Sequence, residues 1–575
     1  MKNKWNHDAL YWLFGAMGKS KYLVGTLIVL QTVRSALSVG YALGLRRVVD
    51  AAVEGDASLR LAIWTLCVVI LTQICILACI RRVEESATAS LENSLRRRLF
   101  SVLLYRDYAS VAGVHSGEWM NRLTSDVTRV ATSAVSLLPN AVGTVLRLVF
   151  ALFVLVSQEP RFCYLFLPGG LLLGFGSFFA RRIHIRLQKR VQEKNGRISV
   201  FFLEVLSGLP TQRAYAIQEN TLSSADEKLH AHYKARMKRS DFFNASRMGL
   251  NILVYGVMLC AIWFFAVGIQ SGTVSYGDFV AMMQLITQVQ APFANLGGIS
   301  THFYTMLASA ERIMEAEKFE KTIAPLSAEE VFRVYKEELT EIGLSHVGFT
   351  YAAPIQNDGE AVEGGNETVV FKDLNFSVKK GEYVALTGTS GAGKSTLLKL
   401  ILCLYTQNEG ERYISFGAQK EALTTKWQRL FAYVPQVHHL ISGTVRESIV
   451  FFDKTRAKDE DALQNALKIA CADGFVNDLE NGLDTMLGEH GAGLSQGQLQ
   501  RLMIARAVFS ERPILLLDEC TSALDEETEA AVLQNLRTMT DKTVLIVTHR
   551  PAVLDICDWE IEFTENGHVI RKLHA

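Results

Sequence analysis

The chain has 575 residues, 49% of them hydrophobic and 21% charged, and its 59 basic and 59 acidic residues give a formal net charge of zero. At roughly 150 residues per domain this length calls for several units, and a mean hydropathy of +0.16 calls for a membrane-embedded part. The charge balance excludes the basic excess of a nucleic-acid binder, nine cysteines are too sparse for a disulfide scaffold, and the composition excludes disordered and collagen-like chains.

The first residues, Met1-Lys2-Asn3-Lys4-Trp5, lead into an amphipathic stretch. It has no apolar region with a small-residue cleavage site and no Arg-rich transit pattern, so no removable signal is expected. Apolar runs follow at about 22–45, 61–80, 133–157, 162–180 and 250–269. Each approaches the roughly 20 residues that cross a bilayer. A weaker run at 279–298 is interrupted by Gln284, Gln288 and Gln290. Six spans are expected. Cys67, Cys75, Cys79, Cys163 and Cys260 fall in these runs and read as small buried hydrophobes.

The cationic residues cluster in the long connections. Segment 81–131 carries Arg81, Arg82, Arg96, Arg97, Arg98, Arg106, Arg122 and Arg129, and segment 181–247 runs from Arg181 and Arg182 to Lys238, Arg239 and Arg247. The short connections at 49–58 and 271–278 hold no Lys or Arg, although Arg46, Arg47 and Arg60 flank the first. Positive charge stays on the cytoplasmic side. Both long connections and both termini are therefore expected there, in a bacterial plasma (inner) membrane. Residues 85–103 and 183–205 read as helices that carry the spans beyond the bilayer, because neither has the apolar residues for a core of its own.

Arg34 and Arg147 stand near the middle of two spans, with no Asp or Glu in the apolar stretches to pair with them. A charge at that depth is expensive and usually faces a cavity, a partner or a substrate. Two readings stay open. The pair meets an amphipathic anion such as a lipid, an acidic peptide or a siderophore-like molecule, or the two side chains snorkel, bond backbone carbonyls or lie in cytoplasmic extensions. Gln284 and Gln288, one helical turn apart beside Thr287, line a cavity or bond between helices. Met282, Met283, Phe293 and Trp263 read as core or lipid-facing.

From about Glu338 the texture alternates between strand and helix patterns, the mark of an α/β domain. Gly388-Thr389-Ser390-Gly391-Ala392-Gly393-Lys394-Ser395-Thr396 satisfies G-x-x-x-x-G-K-[ST], with the strand-like 383–386 before it and the helix-like 396–404 after it. Its glycines let backbone N–H groups curl around phosphate oxygens. Lys394 neutralises charge on the β- and γ-phosphates, and the Ser395 hydroxyl ligates Mg²⁺. Ile514-Leu515-Leu516-Leu517 reads as a buried parallel strand whose end presents Asp518 and Glu519 in different directions. Asp518 suits Mg²⁺, through water, and Glu519 suits polarising an attacking water.

Leu494-Ser495-Gln496-Gly497-Gln498, about 100 residues after Lys394, is similar to the signature Leu-Ser-Gly-Gly-Gln of the ATP-binding cassette (ABC) transporters. The order of the other motifs resembles that family too. The resemblance implies that Tyr351 stacks on adenine, that Gln436 in Tyr433-Val434-Pro435-Gln436 contacts Mg²⁺, and that His549 touches the γ-phosphate. It makes Ser522-Ala523-Leu524-Asp525 a loop that crosses to a partner subunit. It also assigns Ser495, Gly497 and Gln498 to ATP bound on a second chain. Leu487-Gly488-Glu489-His490-Gly491 resembles a loop of exporter-type members, and 117–127 and 208–215 resemble stretches around the two coupling helices. Gln496 stands where the family usually has Gly, and 357–367 reads as an exposed acidic insertion.

The resemblance implies a fold class of six transmembrane helices with long cytoplasmic extensions, a membrane all-α domain, fused to an α/β P-loop ATPase domain. The expected boundaries are a membrane domain over 1–320, a linker over 321–337 and a nucleotide-binding domain over 338–575. The expected activity is ATP-driven export of an amphipathic substrate by a half-transporter that must dimerise. A homodimer is favoured and a heterodimer stays open. A lipid flippase, a metal-chelate importer, an ATP-gated channel and a regulatory ATPase are the alternatives, and retention of Glu519 and His549 argues against the last two.

Overall fold

The computed structural model describes residues 7–114, 116–158, 163–351, 368–437, 440, 442–451, 453, 455–488, 493–564 and 567–573, apart from the side chains of 7, 163–182, 250 and 290–301. The expected acidic insertion at 357–367 and Glu489 lie outside the described residues. The chain divides into two compact units, Met1–Phe100 with Met120–Glu317, and Ser101–Trp119 with Lys318–Ala575.

Helices α1 (His7–Ala16), α2 (Ser20–Glu54) and α3 (Leu59–Tyr105) open the chain. Short α4 (Tyr108–Ala112) and α5 (Ser116–Asn121) precede α6 (Val127–Gln158), α7 (Cys163–Ser207), the short α8 (Leu209–Ala214), α9 (Gln218–Gln270) and α10 (Tyr276–Ala316). A span must satisfy its backbone internally, which uninterrupted helices do. Among the described residues, Ser20–Glu54, Leu59–Tyr105, Ser116–Gln158 and Gln218–Gln270 are long and apolar enough to cross a membrane. The expected spans at 162–180 and 279–298 fall on α7 and α10, partly among side chains outside the description. At 47, 45 and 53 residues, α3, α7 and α9 far exceed one crossing, as expected of helices carried past the bilayer.

Val39, Ala42, Ala151, Leu155, Ala261, Phe265, Met282, Leu285, Ile286 and Val289 form a core that joins α2, α6, α9 and α10. Met282 is thus core, while Trp263 is exposed. Cys67, Cys75, Cys79 and Cys260 are exposed as well, against the expectation of burial. They lie on lipid-compatible helix faces, where an apolar side chain needs no protein neighbour. Between α5 and α6, Arg122–Asp126 winds as a π-helix. Asp126, fully buried, accepts hydrogen bonds from Ser309 Oγ (2.9 Å) and Arg312 Nη2 (2.7 Å) of α10.

In the second unit, α11 (Ala328–Glu337) occupies most of the stretch expected to be linker. Its Val331, Val334 and Tyr335 are buried in the core. Strands β1 (Glu341–Tyr351), β2 (Thr368–Lys379) and β3 (Tyr383–Gly388) lead to α12 (Lys394–Ile401), β4 (Glu409–Phe416), β5 (Gln419–Ala422), β6 (Phe431–Val434) and β7 (Gly443–Thr444). Then come α13 (Val445–Val450), α14 (Glu460–Ile469), α15 (Asp473–Asn477), β8 (Met486–Leu487), α16 (Gln496–Phe509), β9 (Ile514–Asp518), α17 (Glu526–Arg537), β10 (Thr543–Val547), β11 (Trp559–Thr564) and β12 (Gly567–Lys572). One sheet runs β2-β1-β4-β5, antiparallel throughout. The other runs β12-β11-β3-β10-β9-β6, parallel except for β12. Buried on both faces, β3, β9 and β10 read as continuous aliphatic runs.

Candidate functional site

Register places the chemistry. Val547 pairs with Leu386 on one side and with Asp518 on the other. The carboxyl ends of β3, β10 and β9 therefore lie side by side, where open parallel sheets bind ligands.

The phosphate loop leaves β3 at Gly388, whose φ is +125°. A Cβ there would come within 2.2 Å of the Phe563 carbonyl oxygen. Gly393, at φ +94°, has Val370 Cγ1 where a Cβ would stand 2.6 Å away. Both positions need glycine. Thr389, Ser390 and Gly391 are exposed, Ala392 is half-buried and Thr396 is buried. Lys394 is buried at the start of α12, and its ammonium donates to the carbonyls of Gly388 (2.8 Å) and Thr389 (2.9 Å). Burial lowers its pKa, against the opposing pull of Glu519 and Asp518.

Ser395 Oγ donates to Asp518 Oδ1 at 3.0 Å. Asp518 is buried, which raises its pKa, and the Ser395 hydrogen bond resists that rise. Tyr433 donates to its other oxygen at 3.4 Å. Glu519 does not owe its direction to strand alternation, as expected from sequence. β9 ends at Asp518, and Glu519 sits at φ +50°, a left-handed conformation that costs a residue with a side chain. Its N–H donates to Val547 O (3.0 Å), which holds the turn. Gln436 Nε2 donates to Glu519 Oε2 at 3.0 Å, and His549 Nε2 lies 3.6 Å from Oε1. Gln436, Lys394, Ser395, Asp518, Glu519 and His549 are thus one constellation.

Tyr351 reaches the same region from β1. Its hydroxyl lies 3.1 Å from Thr396 Oγ1, and its ring stands edge-on to Tyr405 with centroids 5.3 Å apart. The signature sits apart. Ser495 caps α16, its Oγ accepting from Gln498 N (3.2 Å) while Gln498 Oε1 accepts from Ser495 N (2.8 Å). Among the described residues, no hydrogen bond joins Ser495, Gly497 or Gln498 to the phosphate loop. Gln496 is absent from the residues with positive φ, so its side chain imposes no left-handed strain. Gly497 is required by packing, since a Cβ would stand 2.9 Å from the Ala523 carbonyl oxygen.

Sequence reasoning missed Gln500. Buried two residues past Gln498, it donates to Ser522 Oγ (2.9 Å) and Glu519 O (3.4 Å) and accepts from Ala523 N (2.9 Å). It therefore ties the signature helix to the catalytic turn. A second glutamine in Gln498-Leu499-Gln500 was the available signal. Tyr433 stood within a quoted motif but had no role until its contact with Asp518 appeared.

A family model described as ABC transporter transmembrane region matches residues 24–293, and one described as ABC transporter matches 371–522. The ATP-dependent lipid A-core flippase of Pseudomonas fluorescens is 30% identical over 492 residues, covering 84% of this chain and 78% of that protein. The ATP-dependent permease MDL1 of Candida albicans is 28% identical over 495 residues, 83% of this chain and 68% of its own. A bacterial Atm1-family ABC exporter solved with ATP bound has the same fold, with a TM-score of 0.76 at 20% identity over 95% of this chain and 93% of that one.

Proposed function

The chain belongs to the ABC transporters, as an exporter-type half-transporter, and on that premise we propose that two copies assemble to move an amphipathic substrate by alternating access. It is a multi-pass membrane protein that couples ATP hydrolysis to export. The observation that carries the site assignment is the Glu519 carboxylate, held 3.0 Å from Gln436 and 3.6 Å from His549 beside the phosphate loop.

In this reading the phosphate loop of one copy and the Ser495–Gln498 signature of another enclose each ATP. Glu519 draws the proton of the attacking water, His549 holds its place beside the γ-phosphate, and Lys394 exchanges its carbonyl partners for phosphate oxygens. The Ser395 hydroxyl, the single buried carboxylate of Asp518 and the Gln436 amide are hard oxygen donors. They fit Mg²⁺, which favours one or two carboxylates with substrate phosphates, and no cluster of three His, Cys, Asp or Glu occurs among the described residues to suit a softer metal. When bound, Mg²⁺ would neutralise phosphate charge.

ATP drives closure because the closed dimer binds it from both sides and the open one does not. In this reading the α4 and α8 segments transmit that change, and the basic connections favour a nucleotide-binding domain in the cytoplasm of a bacterial inner membrane. A lipid flippase is the second reading, favoured by the 30% identity to a lipid A-core flippase. The test is Mg²⁺-dependent ATP hydrolysis by this chain alone in nanodiscs beside Glu519→Gln. Activity lost in the variant supports a homodimer driven by Glu519. A folded but inactive wild type would refute the homodimer, and equal activity in the variant would refute the role of Glu519.

A further inference from the structure

The membrane unit carries a feature that ATP chemistry leaves unexplained. α2 and α6 run side by side, joined where Gln31 Nε2 donates to Asn140 Oδ1 (3.0 Å) and Ser35 Oγ donates to Gly143 O (2.8 Å). Nearer their far ends, Arg46 Nη1 donates to Gln158 Oε1 (2.9 Å). Arg34 lies twelve residues before Arg46, and Arg147 lies eleven before Gln158. At about 1.5 Å per residue, both stand about 16–18 Å from that level, near the middle of a hydrocarbon core of about 30 Å.

Arg34 follows Gln31 by three residues on α2 and Arg147 follows Gly143 by four on α6, so both stand within about one turn of the contacts that join these helices. Neither has a hydrogen bond or ion pair with any described residue, and Arg147 Nε is buried without a partner. That removes the carbonyl-bonding reading, and the depth removes snorkelling. No Asp or Glu occurs at 22–45, 133–157 or 279–298. Gln288 of α10 donates to Ser38 O (2.9 Å) and accepts from Ser38 Oγ (3.0 Å), one turn along α2 from Arg34. The polar layer therefore spans three packed helices. Within it every neutral group named here has a partner, and the two cations have none among the described residues. Like charges in an apolar layer are costly, and ionisable residues kept at that depth mark a substrate or ion pathway.

We propose that Arg34 and Arg147 together bind the anionic head, phosphate or carboxylate, of an amphipathic substrate whose apolar part stays in the membrane domain. Two guanidinium forks suit a head of two or more oxygens. The proposal rests on the transport reading, yet it concerns binding and is tested without nucleotide.

The full chain in phosphatidylcholine nanodiscs is titrated with oleoyl lysophosphatidic acid and, separately, with oleoyl lysophosphatidylcholine, which shares the chain but not the net charge. The wild type is expected to prefer the anionic probe by about tenfold or more. Arg34→Gln and Arg147→Gln should each weaken it about tenfold, as expected for losing one charge-assisted contact, with binding of the zwitterionic probe kept as the sign of an intact fold. Arg147→Lys, which keeps the charge, should retain most of the preference. Equal binding of both probes by the wild type, or an unchanged preference in both Gln variants, would overturn the proposal. Glycerol 3-phosphate competing as well as the lysolipid would overturn its amphipathic half. Failure of the transport reading would instead appear as ATP hydrolysis indifferent to Glu519→Gln, whatever the lysolipids do.

Discussion

Arg550 offers a measurable balance of charge. Its Nη1 donates to Glu529 Oε2 at 2.8 Å and to Leu524 O at 3.0 Å, and its Nη2 donates to Ser522 O at 2.8 Å. Glu529 is 3% exposed, and its other oxygen is buried without a partner. Arg550→Met would leave a buried carboxylate and two carbonyls unanswered. Breaking a fully buried pair costs about 3–5 kcal/mol. Here the guanidinium is 33% exposed and Glu529 lies near the N-terminus of α17, where the helix dipole favours an acid. Both reduce the expected cost to about 2–3 kcal/mol. At about 2–4 °C per kcal/mol for a unit of this size, the unfolding midpoint should fall by about 5–10 °C. Differential scanning fluorimetry of the full chain measures it. Glu529→Leu combined with Arg550→Met removes both charges and should recover most of the loss, a non-additivity expected only of direct partners. A shift under about 2 °C for Arg550→Met, or a double variant that melts as low as the two single effects added, would refute the reasoning.

Gly393→Ala should lower ATP affinity at least about tenfold in equilibrium binding, because φ +94° and the 2.6 Å approach of Val370 force the loop to move; unchanged affinity would show that the loop yields. Asp126→Ala should destabilise the membrane unit by about 1–3 kcal/mol, since it strands the buried Ser309 hydroxyl and releases Arg312, which water can still solvate, and a melting curve identical to wild type would contradict this. In mixed dimers, Lys394→Ala on one copy and Ser495→Ala on the other should leave one intact ATP site and about half the hydrolysis. Both changes on the same copy should damage both sites, so equal activity in the two arrangements would exclude action in trans.

Much of the nucleotide site was legible because its chemistry is local. The phosphate loop needs glycine at fixed offsets, and Leu515-Leu516-Leu517-Asp518-Glu519 spells a buried strand and its end within five residues. The left-handed turn at Glu519 was not legible, since it depends on the Val547 carbonyl on a neighbouring strand. Nor was the buried anchor at Asp126, whose partners lie 183 and 186 residues away. Helix α11 hid in the expected linker because it is short and its buried Val331, Val334 and Tyr335 find partners far away in the chain, Tyr335 meeting Thr543 across 208 residues. Arg34 and Arg147 were visible as anomalies. Their lack of partners required coordinates, because sequence spacing does not exclude a backbone carbonyl.

The membrane helices lend a piece of themselves to the other unit. Ser101–Trp119 clusters with the nucleotide-binding residues: Thr322 N donates to Tyr105 O (3.2 Å), Asp107 N donates to Glu320 O (2.9 Å), and the rings of Tyr108 and Tyr405 meet edge-on at 5.7 Å. Recombination that exchanged only residues after 317 with a relative would leave this borrowed segment behind, facing a foreign Tyr405 position. The heritable module of this protein is therefore not a contiguous stretch of gene. A working chimera must carry two separated segments together, which narrows the cut-and-paste routes by which such a transporter acquires a new engine.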